Sequence, residues 1–275
     1  MSMNVLVVIG VGGMGQSIAR RQGAGKRVLL ADFDEQVLGA TAESLRGEGY
    51  DVVASPVDVS ARASVAALAD RAEQLGGVTE VVHTAGLSPV QASAAAILAV
   101  DLLGVALVLE EFGRVVAPGG AGVVISSMAG YLAAPLDAEQ ERALAHTPAD
   151  ELLDLPFLAQ VTSGAVGYSL AKRANHLRVQ AASGAWGRRG ARINSISPGV
   201  VSTPMGRQEL AGDGGELMRS MIDTSAAGRL GTPADIAAAT AFLLGPDSAF
   251  VSGTDLLVDG GVVAALRTGA PSAAA

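Results

Sequence analysis

The sequence predicts an α/β fold: a single Rossmann-type, doubly wound parallel sheet with helices on both faces. Three observations predict it. Apolar runs of strand length alternate with helix-length stretches, and that alternation means a parallel sheet covered on both sides. A glycine-rich loop, Gly10-Val-Gly12-Gly13-Met14-Gly15, separates the first run from the first helical stretch, the context in which such a loop carries meaning. Tyr168-Ser-Leu-Ala-Lys172 places a phenol and an ammonium on one helix face, because positions i and i+4 are neighbours.

The strands are expected at Val5–Ile9, Arg27–Ala31, Asp51–Ala54, Val78–His83, Gly122–Ser126, Ala191–Ile196 and Asp255–Val258. The helices are expected at Gln16–Gln22, Gln36–Gly47, Val65–Leu75, Ala92–Val116, Ala165–Trp186 and Ala234–Leu244. The last helix has clear punctuation. Thr232 is its N-cap, Pro233 occupies the first helical position, Asp235 completes the cap, and Gly245-Pro246 ends it. Residues 133–164 break the rhythm as a helical insertion. Asp137 with Gln140 caps one short helix, and Thr147-Pro148-Ala-Asp150 caps another, repeating the Thr-Pro-Ala-Asp of the last helix. Leu152, Leu153 and Phe157 supply an apolar face. The insertion reads either as a surface elaboration or subunit contact, or as a lid over a substrate site. Residues 204–225, with Gly212-Asp-Gly-Gly215, read as a substrate loop that orders on binding. Residues 1–265 are thus expected to form one domain, with 266–275 a flexible tail.

Composition narrows the function. At 275 residues the chain can bury a sizeable core. Its net charge of −8 argues against a nucleic-acid partner, but not against a phosphate-bearing cofactor held locally at a helix start. There is no cysteine, hence no disulfide and no thiolate chemistry. The three histidines have no metal-ligand spacing, and no metal is expected in the chemistry. The start lacks the basic region of a signal peptide. The apolar stretch Ala92–Leu109 is interrupted by Asp101 and Gly104 and is barely long enough to span a bilayer. A buried core or interface helix is the better reading, in a cytoplasmic protein with no membrane partner.

The glycine loop specifies a dinucleotide site. Gly10 permits the tight turn, Gly12 lets backbone approach a pyrophosphate, and Gly15 lets the helix pack on the sheet. Gly13 and Met14 open that helix, whose free N–H groups face the phosphates. The second strand ends in Asp32-Phe33. An aspartate there accepts hydrogen bonds from the adenosine ribose and repels a 2′-phosphate. No basic residue follows it, and Arg27 lies at the far end of the strand, so NAD is expected over NADP. The chain has only two lysines, Lys26 and Lys172, against seventeen arginines. A compact ammonium at 172 is not interchangeable with arginine's fork.

With these motifs in order from Val5 to Gly261, the sequence resembles the short-chain dehydrogenase/reductase family. Gly10–Gly15 looks like its nucleotide loop and Asp58-Val59 like its adenine-contacting pair. His83-Thr84-Ala85-Gly86 stands where the family usually has Asn-Asn-Ala-Gly. Ile125-Ser-Ser127-Met128 looks like the strand bearing the catalytic serine, by position Ser127, and Tyr168 and Lys172 match the catalytic pair. Arg192-Ile-Asn-Ser-Ile-Ser-Pro198-Gly199 and Val201 match the segment lining the nicotinamide, with Thr203 as the carboxamide-binding threonine. Ser252–Gly261 resembles the closing strand. Three departures stand out. Ile9 replaces a loop threonine and the loop is one residue shorter. Asp101 replaces the asparagine of the catalytic tetrad. The insertion separates Ser127 from Tyr168, as in the hydroxysteroid dehydrogenase/carbonyl reductase branch.

The resemblance implies hydride transfer between NAD(H) and a secondary alcohol or ketone. A free tyrosine titrates near 10, and a nearby cation lowers that value. Lys172 is therefore expected to make Tyr168 the acid–base group. Ser127 donates to the substrate oxygen, and Asp101 completes the catalytic set. Met128, Tyr131 and Met205 are expected to bind substrate beside Ser127 and Tyr168. The resemblance also implies a homodimer or homotetramer formed through the helices over Ala92–Val116 and Ala165–Trp186. Two other classes share parts of the pattern. Nucleotide-sugar epimerases and dehydratases share Tyr-x-x-x-Lys but usually carry a further C-terminal domain. A non-catalytic NAD-sensing module would be expected to lose Ser127, Tyr168 or Lys172.

Overall fold

A computed structural model describes residues 3–212 and 214–269. Strand β1 (Asn4–Ile9) leads to α1 (Gly13–Gln22), β2 (Arg27–Asp32) to α2 (Glu35–Gly47), and β3 (Asp51–Pro56) to α3 (Arg62–Leu75). After β4 (Gly77–His83), α4 (Ala94–Ile97) passes through a π-helical turn, Leu98–Leu103, into α5 (Gly104–Val115). Then come β5 (Val116–Ile125), a 3-10 turn at Met128–Tyr131, α6 (Ala138–His146), α7 (Ala149–Leu152) and the long α8 (Gly164–Arg188). The chain closes with β6 (Arg192–Pro198), α9 (Pro204–Ala211), α10 (Gly215–Thr224), α11 (Pro233–Leu244), β7 (Asp255–Val258) and α12 (Val262–Thr268).

The seven strands form one sheet in the order β3-β2-β1-β4-β5-β6-β7, and every pairing is parallel. All seven expected strands are present. Alternation along β1 shows how the core is split. Val5, Val7 and Ile9 join the cluster that α3, α5 and α8 cover, whereas Leu6 and Val8 join the one under α1, α2 and α11. Successive side chains point to opposite faces, and both faces are helix-covered, so the strand is apolar throughout. The order reverses between β1 and β4, the crevice where such sheets bind ligands. No helix among the described residues is long and apolar enough to cross a membrane.

The insertion packs on the side of the molecule rather than over a cleft. Leu144, Ala149, Leu152 and Leu158 are buried in the α5–α8 core cluster. Arg178, on α8, donates to the carbonyls of Leu144 (3.2 Å) and Thr147 (2.7 Å), at the C-terminal end of α6. Arg62 clamps Asp150 of the insertion together with Glu110 and Glu111 of α5. Asp137 and Gln140 form the expected capping box. The second expected cap does not form: α7 is a single turn without a side-chain cap, because Thr147 lies at the end of α6. The same four residues at Thr232–Asp235 do form a capping box on α11.

Two segments expected to lack structure are helical. Residues 204–225 are α9 and α10 rather than a loop, joined at Gly212–Gly214. The expected tail begins inside α12, which continues to Thr268. Val262 and Val263 of α12 pack with Met128 and Val200, and Arg267 lies over the Tyr131 ring. The remainder of that expected tail, 270–275, lies outside the described residues.

Candidate active site

Two cavities open along the C-terminal edge of the sheet. The first, about 530 Å³, is lined by the loops after β1, β2, β3 and β4. Gly10 has φ +91°, in the left-handed region that favours glycine. A Cβ there would strike the Ala85 backbone, and a Cβ at Gly15 would strike the Gly10 carbonyl. That carbonyl also accepts from Thr84 Oγ1 at 2.6 Å. The turn is thus locked against the β4 loop. Gly12, the N-cap of α1, has open space around it and no side-chain cap, which leaves the first helical N–H groups free for an anion.

Asp32 faces the same groove. Its carboxylate accepts from the N–H groups of Val11 (2.7 Å) and Asp34 (3.0 Å). Phe33, 77% exposed, lines the wall beside it. Asp58 and Val59 form the next part of the wall, and the Asp58 carboxylate accepts from Ser60 N–H and Oγ–H. Thr84, Ala85 and Gly86 form the floor. No arginine or lysine lines this groove among the described residues.

The second cavity, about 440 Å³, is lined by Ser127, Met128, Tyr168 and the segment Pro198-Gly199-Val200-Val201. Met14, Thr203 and Met205 line both cavities, so the two meet there. Thr203 Oγ1 caps α9 by accepting from Gly206 N–H at 3.0 Å. A Cβ on Gly13 would lie 3.2 Å from Thr203 Cγ2, so the starts of α1 and α9 face each other across the junction.

Tyr168, Lys172, Ser127 and Asp101 come together beside that junction. The Lys172 ammonium is 5.3 Å from the Tyr168 ring centroid and 3.0 Å from Asp101 Oδ2. Ser126 Oγ donates to the Lys172 carbonyl at 2.8 Å, tying the end of β5 to α8. Ser127 Oγ accepts from Ala129 N–H at 3.1 Å, which leaves its proton to donate, and its hydroxyl stands near enough to the Tyr168 phenol to pull that phenol's pKa down. Asp101 sits in the π-helical turn, a distortion frequent at functional sites. Burial pushes the Tyr168 phenol above its ordinary value, Lys172 pulls it down, Asp101 pushes it up again, and the Ser127 hydroxyl pulls it down. The net direction is upward, so the lowering expected from Lys172 alone is outweighed by desolvation. Burial works to discharge Lys172, but Asp101 and Tyr168 hold its pKa above the ordinary lysine value.

The chain is similar to known proteins over nearly its whole length. The family model described as enoyl-(acyl carrier protein) reductase matches residues 10–139 and 157–263. The short-chain dehydrogenase/reductase bsc3 of Alternaria brassicicola is 43% identical over 268 residues, covering 97% of this chain and 98% of its own. The chain belongs to the short-chain dehydrogenase/reductase family. Galactitol 2-dehydrogenase (L-tagatose-forming) of Cereibacter sphaeroides is 30% identical, with 92% of each chain covered. Among solved structures, a short-chain type dehydrogenase/reductase from Mycobacterium ulcerans matches with a TM-score of 0.75 at 23% identity, covering 95% of this chain and 90% of that one. This chain is an oxidoreductase of that family, whose members use a nicotinamide cofactor. The family match skips 140–156, inside the insertion.

As a family member, the chain departs from the sequence-based expectation at two site residues. Asp101 lines neither cavity: it is fully buried, paired with Lys172, and accepts from Leu87 N–H at 2.8 Å. Its contact is with the lysine rather than with either cavity. Tyr131 also misses the substrate cavity. Its hydroxyl donates to Asp255 Oδ2 at 2.9 Å and its ring packs 5.1 Å from His176, so Asp255 draws it behind the site. Gly15 and Lys172 stand one layer behind the walls. Sequence reasoning missed the wall residues Leu87 and Gln91 of the groove, and it placed Glu209, Leu217, Met218 and Met221 of the second cavity only collectively, within the 204–225 substrate segment. The last four lie on the two helices read as a loop, so no helical periodicity pointed to an inward face.

Proposed function

We propose that this chain is an NAD(H)-dependent dehydrogenase/reductase that interconverts a secondary alcohol and its ketone, with residues 1–265 acting as one catalytic domain. One observation carries the reading: Ser127 and Tyr168, backed by Lys172, stand where a dinucleotide-shaped groove meets a separate apolar cavity. The groove fits the cofactor, because a side chain at Gly10 or Gly15 would collide with its backbone frame and Asp32 stands at its wall.

The residues divide the work as follows. Gly12, Gly13, Met14 and the start of α1 hold the phosphates. Asp32 and Phe33 receive the ribose and adenine, with Asp58 and Val59 on the far side. Thr84–Gly86, Pro198, Gly199, Val201 and Thr203 orient the nicotinamide ring. When bound, the nicotinamide supplies the hydride donor or acceptor. Ser127 donates a hydrogen bond to the substrate oxygen, the group on which charge develops. Tyr168 gives the alkoxide its proton in reduction and takes the hydroxyl proton in oxidation. Lys172 holds a positive charge beneath the phenol. Such acid–base help is worth about 10²–10⁴-fold.

The NAD preference rests on Asp32, whose carboxylate at the ribose end repels a 2′-phosphate, and on a groove with no cation to receive one. A homo-oligomer is part of the proposal. Phe242 and Phe250, 45% and 105% exposed, stand on α11 and between α11 and β7, and large exposed apolar side chains of this kind offer surface for a second subunit to cover. Sedimentation velocity reads the subunit number directly.

The testing experiment follows nicotinamide absorbance with secondary alcohols, hydroxysteroids and ketones, using NAD(H) and NADP(H), in wild type and Tyr168→Phe. Turnover with NAD(H) that collapses in the mutant is the expected result. Turnover that persists in Tyr168→Phe would sink the assignment.

A further inference from the structure

Five of the chain's seven methionines line one cavity: Met14, Met128, Met205, Met218 and Met221. The other two are Met1 and Met3. Thioether side chains are flexible and polarizable, and they mould to flat or irregular apolar bodies. Val90, Leu132, Val200 and Leu217 complete a largely apolar wall. Such a wall receives a polyhydroxylated chain poorly, because each hydroxyl that loses water without gaining a partner is costly.

One group breaks the apolar wall. Among the described residues, Glu209 is the only ionisable side chain there besides Tyr168. It projects from α9, and its charge is felt at the Tyr168 phenol, so one small molecule can reach both. No described arginine or lysine pairs with it. Burial pushes its carboxyl up, and the neighbouring Ser88 hydroxyl opposes this. Ser88 is fully buried, and its hydroxyl makes no well-directed hydrogen bond. A half-buried carboxylate in a thioether cavity is an acceptor waiting for a donor.

We infer that the cavity takes a bulky, ring-bearing apolar ketone or alcohol carrying a hydrogen-bond donor, a hydroxyl or an ammonium, and that Glu209 receives that donor. The inference rests on reading this cavity as the substrate side of a dehydrogenase. Methionine plasticity accommodates the ring body, Tyr168 and Ser127 take the reacting oxygen, and Glu209 fixes which end enters first. A charge-assisted hydrogen bond to a partly desolvated carboxylate favours the donor-bearing ligand by about ten- to a hundredfold.

The test is calorimetric titration of the protein saturated with a tetrahydro-nicotinamide analogue of NADH that cannot give up hydride, so that binding is read without turnover. The probes are 2-decalone, a hydroxydecalone, an aminodecalone in its ammonium form, and galactitol. The proteins are wild type, Glu209→Gln and Glu209→Leu, each checked for an intact melting transition. Wild type is expected to bind both donor-bearing decalones at least tenfold tighter than decalone, and decalone tighter than galactitol. Glu209→Gln should lose the ammonium preference, and Glu209→Leu both preferences. Equal binding of the three decalones, tighter binding of galactitol, no binding of any probe, or a preference that survives in Glu209→Leu overturns the inference. NADH binding is titrated separately by its fluorescence. Its failure in wild type would overturn the dehydrogenase reading itself, whereas intact NADH binding beside a failed probe series overturns only the role of Glu209.

Discussion

The Asp101 carboxylate and the Lys172 ammonium stand 3.0 Å apart with side chains 0% and 5% exposed. The other Asp101 oxygen accepts from Leu87 N–H. Gly86 is the thin floor beside them, where a Cβ would come within 3.0 Å of Asp101 Oδ2 and 3.4 Å of Lys172 Nζ. The family resemblance implies a neutral asparagine at this position. Here a carboxyl group faces the cation beside Tyr168: burial pushes its pKa up, while Lys172 and the Leu87 N–H pull it down.

The sign of the effect fixes a prediction for Asp101→Asn. Asp101 raises the phenol's pKa, so its removal lowers that pKa and phenolate appears at lower pH. Oxidation requires phenolate, so the acid limb of kcat/KM for alcohol oxidation shifts to lower pH. Reduction, which requires the phenol, loses its rate from a correspondingly lower pH. Stability falls by about 3 kcal/mol, because a buried ammonium loses its counter-ion. Denaturant unfolding and a pH–rate profile measure the two effects. An acid limb of the oxidation profile that stays in place, or moves upward, would contradict this role.

The ease with which the fold was legible has a physical basis. A strand buried on both faces must be apolar throughout, so β1 as Val5-Leu-Val-Val-Ile9 announces itself. The glycines of the first turn are equally legible, since any side chain at Gly10 or Gly15 meets backbone. The rest depended on tertiary contacts. The π-helical turn at Leu98–Leu103 is hidden in a mainly apolar stretch whose breaks at Asp101 and Gly104 a continuous helix would show equally. Tyr131 sits next to a substrate-lining stretch in sequence, but Asp255, from a distant strand, captures its hydroxyl. Glu209 left no signal because Gly212–Gly215 interrupts the pattern of both helices around it.

Asp32→Asn separates charge from shape. The amide oxygen still accepts from Val11 N–H, so the turn is retained, but the repulsion of a 2′-phosphate is gone. The KM ratio of NADP to NAD should fall by at least about tenfold, the scale of one charge–charge interaction near a protein surface. Steady-state kinetics with both cofactors measure it. A wild type that already prefers NADPH would refute the premise.

Gly12 and Gly15 should fail differently. A Cβ at Gly12 meets nothing within 4 Å, and its φ of −66° suits any residue. Gly12→Ala should therefore melt like wild type but bind NADH at least about tenfold more weakly, because the methyl occupies the phosphate approach. Gly15→Ala drives a methyl into the Gly10 carbonyl and should lose about 2 kcal/mol of stability as well, as overpacking does. Thermal melts beside fluorescence titration separate the two. Equal NADH affinity in Gly12→Ala and wild type would remove the phosphate from this loop.

Arg178 tests whether the insertion serves the fold or the chemistry. Its guanidinium is 7% exposed and bonds the carbonyls of Leu144 and Thr147, with Glu110 3.4 Å away. Arg178→Met keeps most of the apolar stem but strands two carbonyls at the end of α6. Leaving such groups unsatisfied costs about 1–3 kcal/mol, and the loss should concentrate in residues 138–160. Hydrogen exchange should show faster opening of α6 and α7, with the α1 and β4 amides unchanged. No residue of 138–160 lines either cavity, so kcat with the best ketone should change less than about twofold, an effect worth under 0.5 kcal/mol. A collapse of kcat with α6 and α7 still protected would instead make the insertion part of the catalytic apparatus, acting through α8 on Tyr168 and Lys172.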